Sequence, residues 1–288
     1  MSDFVILTDS SADLGAELVQ QLDVQVLPLS FILNQHTYHN YPDNREMDPH
    51  LFYEKLRAGE VATTAAVNVA EYVDAVEPLL QTGHDVLILA FSSGLSTTYQ
   101  SSVIAVNELS EQYPDRKLFT VDTLSASLGQ GLLVWHAVQE QKRGQSIVAV
   151  RDWVEENKLR LCHWFTVDDL HFLKRGGRIS AATAVVGTML SIKPVLHVDD
   201  EGHLISMGKA RGRGASLTAL VDHMEQTATD VDTVFISHGD CLADAEKVAA
   251  DVRKRFGTRD VVINTIGPVI GAHAGPGTVA LFFLGTKR

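Results

Sequence analysis

Apolar segments of strand length alternate with segments of helical length along the chain of 288 residues. The runs "FVILT" (4–8), "DVLILAF" (85–91) and "KLFTVD" (117–122) predict strands, and "NVAEYVDAVEPLL" (68–80) predicts an amphipathic helix between two of them. A continuous apolar run is typical of a strand that is buried on both faces. The alternation therefore predicts a mostly parallel sheet with helices on both of its faces.

The second half of the sequence has a different pattern. "KPVLHVDDEGHLISMGKA" (193–210) predicts two strands joined at Asp-Glu-Gly as a hairpin, and an apolar helix is expected at "SAATAVVGTML" (180–190). In the first half, "VQVLPLSFIL" (24–33) is expected to form one strand, and a long helix is expected from about residue 124 to residue 143. We predict two α/β domains, the first with a mostly parallel sheet and the second with a mixed sheet.

Charge divides the chain near the same place. Residues 1–141 hold five of the 24 basic side chains but 19 of the 36 acidic ones. Such a shift in charge favours two domains, which we place at residues 1–145 and 146–288.

Composition excludes several classes of function. The net charge of −12 argues against nucleic-acid binding, and no window of 18 apolar residues predicts a transmembrane segment. The N-terminal sequence lacks the layout of a signal peptide, so a cytoplasmic location is expected. Cys162 and Cys241 lack metal-ligand spacing, and we expect neither a disulfide nor a metal site.

The turn "FSSGLSTTYQSS" (91–102) contains seven hydroxyl side chains between a predicted strand and a predicted helix. Ligands of open parallel sheets bind beyond the carboxyl ends of the strands, where helix N-termini present unpaired N–H groups. Gly94 would let a ligand approach the backbone, and Ser96 would add a neutral donor. The turn fits a carboxylate or a phosphate, or alternatively a helix cap without a ligand.

Three further stretches have the same two interpretations. "VATTAAVN" (61–68) places Thr63 and Thr64 before a helix, and "IGPVIGAHAGPG" (266–277) places His273 in a glycine-rich loop. "GKARGRGAS" (208–216) supplies Arg211 and Arg213. Each residue taken alone is equally explained as a helix cap, a loop histidine or a solvated arginine.

Taken in order, these stretches resemble the DegV family of bacterial fatty-acid-binding proteins over essentially the whole chain. The resemblance rests on six segments: "VILTDSSADL", "VQVLPLSFILNQHTY", "TTAAVN", "SSGLSTTYQSS", "VDDLHFLKRGGRIS" and "GPVIGAHAGPGTVAL". The fifth of these is the most specific match.

The resemblance implies a long-chain fatty acid, such as palmitate, held between the two domains as the ligand, with no other cofactor. It implies that Thr64 and Ser96 bind the carboxylate and that His273 and Arg211 are its polar neighbours. It also implies a role in lipid transport or fatty acid metabolism, as a non-catalytic subunit that presents the fatty acid to a separate ATP-dependent kinase subunit. The segments "LCHWFTV", "VALFFLG" and the apolar helix at 180–190 are candidates to line the tail or, alternatively, to form ordinary core, and periodicity does not distinguish the two.

Two enzyme functions remain as alternatives. A serine hydrolase or esterase would use Ser96, His273 and Asp9, although "SGLST" is not the G-x-S-x-G turn of that class. A phosphotransferase would bind phosphate at "TDSS" and use Ser96 and His273, but the sequence has no P-loop. We therefore expect no catalytic residues and favour a carrier.

Overall fold

A computed structural model describes residues 4–180 and 192–288. Its strands are β1 (Phe4–Asp9), β2 (Gln25–Leu27), β3 (Ser30–Leu33), β4 (His36–His39), β5 (Ala62–Ala65), β6 (Asp85–Ala90), β7 (Leu118–Asp122), β8 (Leu161–Thr166), β9 (Ile192–Val198), β10 (Leu204–Arg211), β11 (Ala228–His238), β12 (Asp260–Thr265) and β13 (Val279–Gly285). Its α-helices are α1 (Ala16–Leu22), α2 (Pro49–Arg57), α3 (Val69–Gln81), α4 (Thr98–Gln112), α5 (Leu128–Lys142), α6 (Ile147–Asn157), α7 (Leu170–Arg175), α8 (Arg213–Thr227), α9 (Leu242–Phe256) and α10 (Pro268–Ala274). Every helix among these described residues is too short or too polar to cross a membrane.

The first sheet has the strand order β2-β1-β6-β7, and all of its pairs are parallel, as the alternation predicts. Side chains of β6 point alternately to the two faces. Ile88 packs in a cluster with α3 and α4, whereas Leu87 and Leu89 pack in a cluster with α5 and α6. Helices on both faces explain why the strand sequence is apolar without interruption.

The predicted single strand at 24–33 is wrong in one respect, because the structure divides it into β2 and β3. Strand β2 pairs with β1 in the first sheet, whereas β3 lies between β4 and β5 in a separate antiparallel sheet. Pro28 separates the two strands, and proline has no N–H to donate to a ladder. The turn at this proline is held by the Leu29 N–H, which donates to Ser10 Oγ at 2.9 Å.

The second sheet is mixed, as predicted, with the order β10-β9-β8-β13-β11-β12. Strands β11 and β12 are parallel, and the other neighbouring pairs are antiparallel. The predicted hairpin is confirmed, because Leu204 of β10 pairs with Val198 of β9 across the Asp-Glu-Gly turn. Helices α8 and α9 cover one face of this sheet, and α5 packs against the other face.

Helix α5 therefore lies between the two large sheets, and its sequence is apolar on most of its surface for this reason. It begins at Leu128, four residues later than the sequence suggests, because Leu124 and Ser127 adopt positive φ angles. Helix α6 follows the predicted domain boundary at residue 145 yet packs against β6 and β7 of the first sheet. The division at residue 145 stays a prediction, and the predicted helix at 180–190 lies outside the described residues apart from Ser180.

Candidate functional site

A cavity of about 430 Å³ opens between the first sheet, the small sheet and the inner face of the second sheet. Its walls are mostly apolar and include Phe91, Leu95, Phe165, Val269 and Phe282. The volume lies within the range of roughly 300–1,000 Å³ that is usual for small-molecule sites. The cavity lies at the carboxyl ends of the parallel strands, where the strand-to-helix turns predicted a ligand site.

One end of the cavity is built around Thr64 and His273, which are 209 residues apart in sequence. Thr64 is placed by β5, which pairs with β3, and His273 lies in the last turn of α10. Thr64 Oγ1 is 2.8 Å from His273 Nε2, and both side chains line the cavity. The structure thus brings together two of the four predicted site residues by a direct hydrogen bond.

The imidazole of His273 is partly buried and uncharged. Burial, together with the nearby guanidinium groups of Arg178 and Arg175, lowers its pKa to about 4. Its Nδ1 atom is buried without a hydrogen-bond partner among the described residues. Gly176 packs against this nitrogen so closely that a Cβ at that position would overlap it. The ring position therefore depends on a glycine in the "KRGGR" turn.

Ser96 lines the same cavity in the turn between β6 and α4. Its Oγ accepts a hydrogen bond from the Thr98 N–H at 3.2 Å and lies 2.9 Å from Thr98 Oγ1. Ser96 therefore accepts the N–H of Thr98, the first residue of α4, although the N-cap residue of this helix is Thr97, and Ser96 also lines the cavity.

Gly94 has a different role from the one that the sequence suggests. A Cβ at Gly94 would lie 2.8 Å from Glu201 O and 2.9 Å from Gly202 O. The side chain of Ser92 donates to Gly202 O at 3.0 Å in the same contact. The glycine thus makes room for the tip of the β9–β10 hairpin, and we correct the expectation that it makes room for a ligand.

Arg211, the fourth predicted site residue, is not brought to this cavity within the described part of the chain. It ends β10, its side chain is exposed, and it does not line the cavity. Its neighbour Arg213 pairs with Asp244 at 2.8 Å and with Asp168 at 3.6 Å.

Arg178, unlike Arg211, is brought to the cavity. It lines the cavity, and its Nε donates to Leu95 O at 3.2 Å while Nη1 donates to Gly176 O. Partial burial lowers the pKa of the Arg178 guanidinium, and its described partners are carbonyl oxygens rather than carboxylates. Sequence reasoning missed this residue, although "VDDLHFLKRGGRIS" contains it and was the most specific segment of the resemblance.

A buried carboxyl group, Asp13, lies directly behind the cavity wall. Its Oδ1 accepts from the Gly267 N–H at 2.9 Å, and its Oδ2 accepts from Ser127 Oγ, which lines the cavity. Burial raises the pKa of Asp13 to about 7, because desolvation outweighs these two hydrogen bonds. Sequence reasoning did not single out Asp13 or Ser127.

Asp9, the third member of the hydrolase alternative, is used elsewhere. Its carboxylate accepts from the Phe91 N–H at 2.8 Å and from the backbone and hydroxyl of Ser11. Within the described residues, the hydrogen bonds of Ser96 and of His273 go to Thr98 and Thr64 rather than to each other. The arrangement is therefore not that of a Ser-His-Asp triad.

A family model described as "Uncharacterised protein, DegV family" matches residues 3–286. The chain belongs to the DegV family. A DegV domain-containing protein of Clostridium perfringens is 48% identical over 290 residues, which cover 100% of this chain and 99% of the relative.

Solved DegV structures have the same two-domain fold. A DegV family protein from Thermus thermophilus, whose structure is described in terms of fatty acid binding, is 31% identical with a TM-score of 0.85 over 98% of this chain and 99% of that one. A fatty acid binding DegV family protein from Streptococcus agalactiae is 29% identical with a TM-score of 0.85, covering 100% of both chains. The resemblance inferred from the six sequence segments and the predicted α/β architecture are both confirmed.

Proposed function

We propose that this DegV protein binds one long-chain fatty acid, such as palmitate, in the cavity between its domains. The observation that carries the proposal is an apolar cavity whose polar side chains at one end include Thr64, Ser96, His273 and Arg178. The fatty acids bound by DegV relatives support the same ligand class.

The carboxylate is proposed to bind at the polar end. If the neutral His273 carries its proton on Nε2, that proton is donated to Thr64 Oγ1, and the Thr64 hydroxyl is left free to donate to the ligand. The hydroxyl of Ser96 is a second donor. The described partners of Arg178 are carbonyl oxygens and not carboxylates, so its positive charge is not neutralised by them. A ligand carboxylate that loses water in the cavity therefore gains Arg178 as its counter-ion. Arg211 is left out of this proposal because of its exposed position.

The tail is proposed to run from this end along the inner face of the second sheet, past Phe165 and Phe282. Each buried methylene contributes about 0.8 kcal/mol, so an acyl chain of palmitate length offers on the order of ten kcal/mol before the costs of binding.

A carrier fits this geometry better than a hydrolase or a phosphotransferase, because the described hydrogen bonds do not join Ser96 to a general base. We propose that the protein presents the carboxylate to a separate ATP-dependent fatty acid kinase subunit and afterwards retains the acyl phosphate. The exposed Lys174 and Arg175 lie next to the polar end and would face such a partner. The cytoplasmic location stays a prediction.

Native mass spectrometry of the purified protein, followed by organic extraction, tests the ligand. We expect one fatty acid per chain, and recovery of a nucleotide or sugar phosphate without lipid would refute the proposal.

Thr64→Ala and Ser96→Ala should each weaken displacement of a fluorescent fatty acid by about ten- to a hundredfold, because each removes a hydrogen bond to a charged group. A burst of product from activated acyl esters, abolished by His273→Gln, would instead support the hydrolase.

A further inference from the structure

The cavity opens at its polar end. Ala65 and Thr97 line the cavity and are also exposed to solvent, and each is the neighbour in sequence of a proposed carboxylate ligand, Thr64 or Ser96. A fatty acid that enters tail first therefore leaves its carboxylate beside this mouth.

The opposite end of the cavity is closed by the strands of the second sheet. Successive side chains of a strand alternate between the two faces, so a deeper cavity would be lined by every second residue. The deepest lining residues are His163 on β8 and Phe282 on β13, which pair across the two strands. The next residues on the same face belong to the packed core and do not line the cavity; on β8, β13 and β11 they are Leu161, Leu284 and Phe235.

Helix α5 completes the closed end, and we call His163, Phe282 and Gly129 the cavity floor. The ring centroids of His163 and Phe282 are 5.4 Å apart at an interplanar angle of 89°. A Cβ at Gly129 would overlap His163 Nε2 and would lie 2.8 Å from Phe282 Cδ1. Nε2 is buried there without a hydrogen-bond partner among the described residues. The helix is therefore packed so closely on both rings that no methylene fits between them.

We propose that the cavity floor sets an upper limit on the length of the acyl chain. The carboxylate is fixed at the mouth, and the last carbon of the longest fitting chain touches the two rings. A longer chain has to withdraw its carboxylate from Thr64 and Ser96 or fold back on itself. This inference rests on the proposed fatty acid site and names the substrate class of that site, acyl chains up to one fixed length.

A closed cavity and an open one differ in how affinity depends on chain length. In both, each additional buried methylene should raise the affinity about fourfold. In a closed cavity this gain ends at the floor, and a longer chain loses hydrogen bonds to its charged group, each worth about ten- to a hundredfold. In an open cavity the surplus methylenes would project into solvent, and the affinity would reach a plateau.

Displacement of a fluorescent fatty acid by laurate, myristate, palmitate, stearate, arachidate and behenate measures this dependence. We expect the affinity of the wild-type protein to rise to one optimal length and then to fall by about tenfold or more within the next two carbons. A plateau or a continued rise as far as behenate would refute the limit.

Substitutions in the floor should move the optimum in opposite directions. Phe282→Ala removes a ring whose space would hold about three or four methylenes, so the optimum should become longer by about two to four carbons. Phe282→Leu is a smaller change in the same direction and covers the case in which Phe282→Ala does not fold. Gly129→Ala should shorten the optimum, because its Cβ would push the two rings into the cavity.

The matched controls are Phe283→Ala and Phe283→Leu. Phe283 is the next residue of β13, is 0% exposed, and packs on the opposite face of the sheet with α8 and α9. These variants lose a ring from an equally packed core, and they should keep the wild-type optimum. An unchanged optimum in both Phe282 variants, or an equal shift in the Phe283 variants, would overturn the inference.

The outcomes separate this inference from the proposed function. Failure of every one of these acids to displace the probe from the wild-type protein would refute the fatty acid site itself. Binding of long chains without an optimal length would refute only the role of the cavity floor.

Discussion

Replacing Asp13 with asparagine should remove a large pH dependence from the stability of this DegV protein. Asp13 is 6% exposed, and its Oδ1 and Oδ2 accept hydrogen bonds from the Gly267 N–H and from Ser127 Oγ. Asparagine keeps an oxygen for the Gly267 N–H, and its amide can donate to the serine oxygen. The substitution therefore removes the ionisation while it keeps the hydrogen-bonding pattern.

The magnitude follows from the pKa of Asp13, which burial raises from 3.8 to about 7. Between these two values the native protein holds a proton that the unfolded chain has released, so stability falls as the pH rises. The loss continues up to the folded pKa and is complete above it. Each pH unit in this window corresponds to about 1.4 kcal/mol, so the wild-type protein should lose about 2.5 kcal/mol between pH 5 and pH 8 through this group.

Urea unfolding followed by tryptophan fluorescence at pH 5, 6, 7 and 8 measures the effect. The difference in unfolding free energy between Asp13→Asn and wild type should move by about 2.5 kcal/mol in favour of the variant across this range. Asp23→Asn is a matched control, because Asp23 has the same left-handed backbone conformation but an exposed side chain. Parallel pH profiles of wild type and Asp13→Asn would refute the raised pKa.

Three further predictions concern the site and its surroundings. Gly176→Ala should weaken fatty acid displacement by about tenfold because its Cβ displaces the imidazole beside it, whereas Gly214→Ala, with open space around it, should not. Arg178→Ala should weaken the same binding by at least about tenfold more than Arg211→Ala, and equal losses would return Arg211 to the site. His197 has its pKa lowered by burial to about 4, so stability is lost as the pH falls below 6.5, the value of the unfolded chain. His197→Gln should therefore lose about 2 kcal/mol less than wild type between pH 6.5 and pH 4.5 in urea unfolding, and an unchanged acid sensitivity would contradict this.

Local sequence patterns were sufficient for the architecture. The unbroken apolar run of β6 predicted a strand covered on both faces, and the structure places α3 and α4 on one face and α5 and α6 on the other. The Asp-Glu-Gly turn predicted the β9–β10 hairpin, which forms with the expected pairing. These features were predictable because hydrophobic periodicity and turn chemistry act within a few residues of the chain.

Three residues of the candidate site could also be predicted from the sequence, because they lie in segments that resemble the DegV family in the same order along the chain. Thr64, Ser96 and His273 were named in this way, and the structure places all three on the cavity wall. The sequence did not reveal that Thr64 and His273 share a hydrogen bond across 209 positions, because that contact depends on how α10 packs against β5.

The choice of arginine was decided by tertiary structure alone. Arg178 and Arg211 both lie in segments that contain glycine and other basic residues, and no local pattern distinguishes a cation that lines a cavity from one that ends an edge strand. Folding places Arg178 against the carbonyl of Leu95 from the first domain, whereas Arg211 projects from the outermost strand of the second sheet.

The same limit applies to the residues that sequence reasoning misassigned or missed. Gly94 has the appearance of a ligand-binding glycine, but a hairpin from the other domain occupies the space beside it. The raised pKa of Asp13 and the unpaired Nε2 of His163 arise only when two sheets close on α5 and exclude water. The sequence by itself determined the elements, their alternation and the family, because these depend on neighbours along the chain. Only the tertiary structure decided which polar groups are desolvated, because desolvation depends on atoms that are distant in sequence.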